Sequence, residues 1–177
     1  MSYKNYTPKF PFLKAIFLTL IVAFSLFAKG QVAVNVTGEA NTTPALAASY
    51  TSLANAITAL QGITSISGPV TLTCAAGTET APAGGYVINF TAATSSINNV
   101  VITGTATTTI TANASPTAGA LNDAIFKIIG SDFVTIQNFT MQENGNSTFT
   151  AASNNMTEWG VALLYASTTN GAQNCTI

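Results

Sequence analysis

Four short segments of this chain repeat one strand-like pattern, which constrains the fold more than any other feature. The pattern is a turn residue, a spacer, Val or Cys, Val or Thr, and then Ile or Leu. Its copies end at residues 72, 102, 136 and 177. Because side chains alternate along a strand, Val100 and Ile102 share one face and Val101 lies on the other. The repeat therefore predicts stacked strands with like residues above like residues.

Each interval between copies contains about three strand-like segments, which recur in the same order. The third segment, for example, lies at 86–90, 124–129 and 161–165 in successive intervals. Repeated sets of this kind are what a parallel β-helix requires. We therefore expect an all-β fold, a parallel β-helix over residues 67–177 with three to four rungs and an open C-terminal end. A Greek-key β-sandwich is the alternative, since it also has short strands at close spacing.

Helical periodicity is confined to one segment before the repeats. Its apolar residues recur every three to four positions: Tyr50, Leu53, Ile57 and Leu60. This spacing predicts an amphipathic helix over about 51–61, begun by a cap at Ser49 or Thr51 and ended near Gly62. Residues 31–66 are thus expected to form an N-terminal strand, a loop and a helix that caps the β-helix.

The N-terminal segment has the pattern of a secretory signal peptide. Four of the five Lys residues flank an apolar run over residues 15–27. A membrane-spanning helix needs about 20 apolar residues, so this run is short for the alternative, a membrane anchor. We expect residues 1–30 to be removed by cleavage between Gly30 and Gln31, which predicts a secreted or cell-surface protein with no membrane span after cleavage.

Charge is nearly absent from the chain and excludes several functions. Charged residues make up 6% of the sequence, with no His and no Arg, and Lys127 is the one Lys after residue 30. Nucleic-acid binding needs clustered basic residues, and His-based catalysis or His-ligated zinc needs His. The 29 Thr and 16 Asn residues favour strands and tight turns, as in an extracellular all-β protein.

The helix and the strands together resemble a known family. The segments YTSLANAITAL, PVTLT, NNVVITGTATTTITA and AIFKIIGSDFVTIQNFTM, within residues 49–177, are similar to secreted bacterial parallel β-helix proteins of the pectin-lyase-like superfamily, closest to those of surface or adhesin type. The resemblance implies a right-handed helix and a longer chain. Ile177 lies inside the fourth repeat, so we expect a truncated N-terminal fragment rather than a naturally short protein.

Few side chains carry candidate chemistry. Asp123 and Asp132 flank one strand and are too far apart to act as a glycosidase pair, so we expect them to be structural turn residues. Glu143 and Glu158 bracket a polar loop and are the weak candidates for a metal site, since only these acids could converge at its base. We expect no catalytic residue and no cofactor, so the chain is more consistent with a non-enzyme.

Trp159 and the two cysteines are the remaining candidates. Trp159, at the point where the loop re-enters a strand, either stacks on a sugar ring as a carbohydrate contact or closes the core as a buried aromatic. The repeat places Cys74 and Cys175 three strand spacings apart, about 14 Å, which exceeds the reach of a disulfide of roughly 7 Å. Both thiols are therefore expected to be free and buried.

The functional expectation is structural. We expect the cap and first coils of an exported β-helix surface protein or adhesin, with surface glycans or other cell-surface proteins as partners and self-association through the open end. The alternative is part of a carbohydrate-binding or polysaccharide-degrading enzyme whose active rungs lie beyond residue 177.

Overall fold

Short strands follow one another closely along most of the chain, as the Thr-rich and Asn-rich sequence predicts. The computed structural model describes residues 30–114, 123–147 and 156–177. One α-helix occurs within these ranges, α1 (Leu53–Gln61). The strands are β1 (Val34–Thr37), β2 (Thr42–Thr43), β3 (Ser49–Tyr50), β4 (Ser65–Ile66), β5 (Val70–Cys74), β6 (Gly77–Thr80), β7 (Tyr86–Ile88), β8 (Val100–Thr103), β9 (Thr108–Thr111), β10 (Ala124–Ile129), β11 (Val134–Gln137), β12 (Thr140–Gln142), β13 (Trp159–Ser167) and β14 (Asn170–Gly171).

The repeat strands β5, β8 and β11 form a parallel ladder in the register that the sequence alignment predicts. Val70 pairs with Val100, which pairs with Val134, and all three are fully buried. Thr176 makes a parallel bridge to Thr135, so the fourth copy of the repeat lies beside β11. The Val and Ile positions of the repeat therefore stack into an apolar column, and this part of the sequence prediction is confirmed.

Two further parallel ladders follow the same chain order. Strands β6, β9 and β12 form one, and β7, β10 and β13 form the other. In the second of these, Tyr86, Phe126 and Val161 lie side by side. Equivalent strands of successive intervals are thus neighbours in each ladder.

The expected fold class, a single right-handed parallel β-helix over residues 67–177, is wrong. The strands lie in four separate sheets in which parallel and antiparallel pairs are mixed. Strand β1 runs antiparallel to β5 and β3, β14 runs antiparallel to β13, and β2 pairs antiparallel with β4. The Val-x-Ile repeat identifies parallel neighbours, but it carries no information on the unrepeated strands. The unrepeated strands pair with sheet edges that the repeat strands leave unpaired. Only the tertiary structure determines which edges these are.

Helix α1 forms where the periodicity predicts it but begins at a different cap. Ser52 is the N-cap, and its side chain accepts a hydrogen bond from the Asn55 N–H at 3.1 Å, so neither Ser49 nor Thr51 caps the helix. Leu53, Ile57 and Leu60 are buried. The helix packs against β7 and β3, and it therefore covers the outer side of the ladder that β7 begins.

The centre of the core contains a run of aromatic rings. The rings of Tyr86 and Phe126 stack with centroids 5.1 Å apart, and Phe139 packs on Phe126 at 5.4 Å. Tyr86 and Phe126 are fully buried. These contacts join two of the ladders, since Phe139 precedes β12 whereas Tyr86 and Phe126 lie in β7 and β10.

The segment expected to be a secretory leader lies outside the described residues apart from Gly30, which is exposed together with Gln31. Within the ranges that the structure describes, no helix has the length and apolar character needed to cross a membrane.

Candidate interaction surface

The most buried acidic side chain of the described residues is that of Glu79 on β6, which sequence reasoning missed. Its carboxylate accepts hydrogen bonds from the backbone N–H groups of Val32 (2.8 Å), Leu53 (3.2 Å) and Ala54 (3.3 Å) and from the hydroxyl of Tyr86 (2.8 Å). Two of these donors are the first residues of α1, where an anion is favoured by the helix dipole. Glu79 therefore joins the N-terminal segment, the helix and β7, which is a structural role.

Two groups beside Glu79 are held neutral. Burial, followed by the charge of Glu79, raises the pKa of the Cys74 thiol to about 12. The same two causes, together with the hydrogen bond to Glu79, raise the pKa of Tyr86 above its usual range. A neutral buried thiol is a poor nucleophile, so this cluster serves the fold rather than a reaction.

Glu143 and Glu158, the expected candidates for a metal site, have different surroundings. Glu143 accepts hydrogen bonds from the N–H groups of Asn144 (3.0 Å) and Thr157 (2.8 Å), so its oxygens hold two chain segments together. Glu158 is half-buried next to Thr157. Within the described ranges, no group of three or more His, Cys, Asp or Glu side chains could hold a metal ion.

Asp123 and Asp132 have separate surroundings. Asp132 accepts a hydrogen bond from the N–H of Gln173 at 2.8 Å, so its side chain ties the turn before β11 to the segment after β14 rather than bonding within its own turn. Asp123 is buried, and its backbone carbonyl accepts from the Trp159 N–H at 3.1 Å. The side chain of Asp132 therefore has a structural role through a longer-range bond than expected, whereas Asp123 contributes through its backbone and its Oδ2 atom is buried without a hydrogen-bond partner among the described residues.

The cysteines agree with the expectation that no disulfide joins them. Cys74 is buried, Cys175 is half-buried, and both thiols are free. Burial raises the pKa of Cys175 as well, and a hydrogen bond to the backbone at Val134 opposes this rise.

Apart from Ile97 and Met156, the exposed large apolar side chains of the described residues lie on β13 and at residue 177. Trp159, Leu163 and Tyr165 are 54%, 50% and 75% exposed, and Ile177 is 63% exposed. The register with β10 places Leu163 beside Ile128, a fully buried residue. This face of β13 therefore continues the core-facing side of the ladder into solvent, and no residue of β13 is charged.

Strand β13 also has a free hydrogen-bonding edge. The N–H of Trp159 points to β10, where it donates to Asp123, and alternation along the strand turns the N–H and C=O groups of Gly160 and Ala162 to the other side. On that side β14 pairs with Tyr165 and Ser167, and Ala172 donates to the Leu164 carbonyl. Among the described residues, no strand pairs with this side of β13 between Gly160 and Leu163. We call these four residues the free edge.

A shallow depression of about 360 Å³ lies along the free edge, lined by Trp159, Val161, Ala162, Leu163 and Leu164. The opposite end of the same ladder is different, since α1 covers β7 and Gln61 donates a side-chain hydrogen bond to the Val87 carbonyl. Within the residues that the structure describes, this ladder thus has a covered end at β7 and, over Gly160–Leu163 of β13, an end beside which no described strand lies, which we call the open end. Trp159, which the sequence singled out, lies at the open end as a half-exposed side chain.

Comparison with known proteins identifies no relative of this chain. No protein-family model matches it, and neither a curated protein nor a solved structure does. Together with the mixed sheets, this result makes the resemblance to the pectin-lyase-like superfamily wrong. The segments that carried it, such as PVTLT, show an alternation that strands of many folds share. The adhesin type, which was expected from that resemblance, and the signal peptide, which was expected from the apolar N-terminal segment, have no supporting observation.

Proposed function

We propose that this chain is a structural strand-pairing module, closed at one end by its own helix and receiving a further β-strand at the other. The observation that supports this proposal is the free edge, where the main-chain groups of Gly160 and Ala162 lie beside the exposed side chain of Leu163. An extended segment can satisfy these groups with its own backbone, as in recognition by strand addition.

The chemistry of the free edge favours an apolar and uncharged strand as its occupant. The ladder already stacks like residues, with Ile88, Ile128 and Leu163 side by side. A strand that continues the series would cover Leu163, which is 50% exposed, and covering the exposed half of a leucine side chain is worth about 1 kcal/mol. Natural edges are commonly protected by Lys, Pro or a bulge, and the residues from Trp159 to Leu163 contain neither Lys nor Pro.

A labelled peptide tests this proposal directly. The probe is a fluorescent peptide with the β10 sequence AIFKII flanked by lysines, titrated with the full chain and followed by fluorescence anisotropy. We expect saturable binding of this peptide. A second peptide, in which Pro replaces the Lys inside the AIFKII sequence, should bind more weakly, because Pro cannot supply a backbone donor.

Matched variants of the protein locate the binding to the free edge. Ala162→Pro removes a donor that points to the free side and leaves the bonds between β10 and β13 in place, so we expect it to weaken peptide binding at least about tenfold, equivalent to about 1.4 kcal/mol. Ala162→Ser keeps the donor and is the control. Equal affinity of the two variants would contradict the proposal.

A second candidate function is carbohydrate binding, which the exposed Trp159 and Tyr165 favour. They lie on one face of β13, six residues apart, or roughly 20 Å at about 3.3 Å per residue. Since Trp159 is the sole Trp, its fluorescence reports ligand stacking without interference. A shift on titration with cellohexaose that Tyr165→Ala weakens would support this function, and an unchanged spectrum would exclude this sugar as the ligand.

A further inference from the structure

A small cavity lies between the turn before β7 and the start of β10. It has a volume of about 20 Å³ and is lined by six residues: Gly84, Gly85, Asn113, Asp123, Ala124 and Thr157. One water molecule needs roughly 10–15 Å³, whereas pockets for organic ligands usually measure about 300 Å³ or more. An occupant of this cavity is therefore a single ion or a water molecule.

Asp123 contributes a buried carboxyl group to this cavity. The residue is 9% exposed, and its Oδ2 atom has no hydrogen-bond partner among the described residues. Removing a carboxylate from water is costly unless a donor or a cation compensates it. Lys127 is the one cationic side chain in the described ranges, and it lies four residues further along, about 13 Å in the strand direction. The described part of the chain therefore offers Asp123 no cation of its own.

A second acid lies beside Asp123. The register pairs Ala124 with Trp159, and the Trp159 N–H donates to the Asp123 carbonyl at 3.1 Å. The preceding residues, Asp123 and Glu158, are therefore neighbours in the parallel ladder, with Cα atoms about 4.8 Å apart and side chains on the same face. Acids placed side by side in this way repel each other, and a cation beside both relieves the repulsion.

The other lining residues supply neutral oxygen atoms and an entrance. Asn113 carries an amide and Thr157 a hydroxyl. Gly84 and Gly85 both have left-handed backbone with φ of 81°, and they bring main chain without side chains to the cavity. A side chain at Gly84 would meet no described atom within 4 Å, so the cavity is open on this side. The lining thus offers oxygen ligands and an entry path for a hard cation.

Glu143 holds one wall of the cavity in place. Its Oε2 atom accepts a hydrogen bond from the Thr157 N–H at 2.8 Å, and its Oε1 atom accepts one from the Asn144 N–H at 3.0 Å. Glu143, which the sequence suggested as a metal ligand, is therefore a positioning residue for Thr157.

We propose that this cavity binds one calcium ion, with Asp123 as the charged ligand and Glu158 as the neighbouring acid. Calcium takes six to eight oxygen ligands in flexible geometry, and carbonyl groups, amides and water all serve. Such a site needs only one or two acids, so it does not require a cluster of three. With so few charged ligands its Kd falls at the weak end of the range for calcium sites, about 10⁻⁴–10⁻³ M. The site is independent of strand pairing at the free edge.

Terbium luminescence tests this proposal, because terbium takes the same oxygen ligands as calcium. Trp159 is the sole Trp and follows Glu158 directly, so excitation of its indole sensitises terbium bound at the cavity. We expect saturable luminescence when the full chain is titrated with terbium, and we expect an excess of calcium to displace the terbium. Magnesium should displace far less, since it demands near-ideal octahedral geometry. An absent signal, or one that calcium does not displace, would mean that the cavity holds no calcium.

A matched pair of variants locates the ion. Asp123→Asn removes the charged ligand, so we expect calcium affinity to fall at least about tenfold. Asp132→Asn makes the same substitution beyond the other end of β10 and should leave the affinity unchanged. Equal affinities of the two variants would overturn the proposal.

Thermal unfolding provides a second measurement that does not depend on Trp159. Because calcium binds the folded chain, it should raise the unfolding midpoint of the native protein and of Asp132→Asn, but not of Asp123→Asn. If Asp123→Asn does not fold, Glu158→Gln replaces it and should weaken calcium binding at least about threefold, since the neighbouring charge is lost. A native midpoint that calcium leaves unchanged, as for a cavity that holds only water, would overturn the proposal, and so would native affinity in Glu158→Gln.

Discussion

At the scale of single residues, Glu79 shows how much one side chain can organise. Its carboxylate receives four hydrogen bonds from three parts of the chain that are far apart in sequence. In the register of β6 and β9 it stands beside Ile110, a fully buried residue. An acid in the place of a core isoleucine was thus the available sequence signal, and it becomes visible only once β6 is aligned with β9.

The first prediction concerns this carboxylate. Glu79→Gln keeps the size of the side chain but removes the charge. It also replaces one acceptor oxygen with an NH2 donor, which cannot accept hydrogen bonds from the backbone N–H groups. Hydrogen bonds to a charged group contribute about 1.5–3 kcal/mol each, so we expect the free energy of unfolding to fall by about 3 kcal/mol. Urea denaturation measures the change. The control Glu39→Gln alters a half-buried acid elsewhere and should cost less than about 0.5 kcal/mol.

The second prediction concerns alkaline pH. The pKa of Cys74 is raised to about 12 in the folded state, whereas an unfolded thiol ionises near pH 8.5. A raised pKa means that the associated stability is complete below about pH 8.5 and is lost as the pH rises toward 12. We expect the free energy of unfolding to fall by about 2.5 kcal/mol between about pH 8 and about pH 10.5 through this thiol.

Replacement of the thiol isolates its share of that loss. Tyr86 acts in the same direction, because its pKa is also raised. In Cys74→Val the thiol is absent, so urea denaturation at the two pH values should show a smaller loss than in the native chain. An identical loss in both proteins would show that Cys74 does not contribute to the pH dependence.

At the scale of elements, the turn before each repeat strand is more specific than the sequence pattern indicates. Phe133 and Asn174, which occupy equivalent repeat positions, both have left-handed backbone, with φ of 50° and 53°. This conformation is common for Asn and rare for a bulky residue such as Phe. The sequence assigned the turn to Asp132, whose side chain instead binds Gln173. Pattern alone did not reveal which residue of the turn adopts the unusual backbone.

The third prediction belongs to α1. Ser52 caps this helix through its side chain, so Ser52→Ala removes the acceptor for the Asn55 N–H. Loss of such a cap typically costs about 1 kcal/mol, and we expect a decrease of that size in urea denaturation. Ser49→Ala, which changes a residue that sequence reasoning considered as the cap, should leave stability within about 0.5 kcal/mol. Equal effects of the two substitutions would contradict the assignment.

At the scale of the whole molecule, the aromatic contacts and the two different ends of the sheets determine the architecture. Phe126 lies between the rings of Tyr86 and Phe139 and joins two ladders. The covered end is formed by α1 and the antiparallel strands of the N-terminal segment, and the open end is formed by β13. The proposed strand pairing belongs to this second end, at the free edge.

The fourth prediction concerns the aromatic contacts. Phe126→Ala removes a fully buried ring and leaves a cavity at the junction of the ladders, so we expect a loss of about 4 kcal/mol in the free energy of unfolding. Ile97→Ala is the control, because Ile97 is 73% exposed and its truncation should change stability by less than about 0.5 kcal/mol. Thermal unfolding followed by circular dichroism distinguishes the two.

The sequence by itself determined the strand-rich character, the position of α1 and the register of β5, β8 and β11. Those features depend on local alternation and periodicity, which are written directly in the order of apolar residues. Only the tertiary structure decided the division into four sheets with both parallel and antiparallel pairs, the burial of Glu79 and the exposure of β13. These depend on which sheet edges meet across long sequence separations, and single strands carry no local signal for that choice.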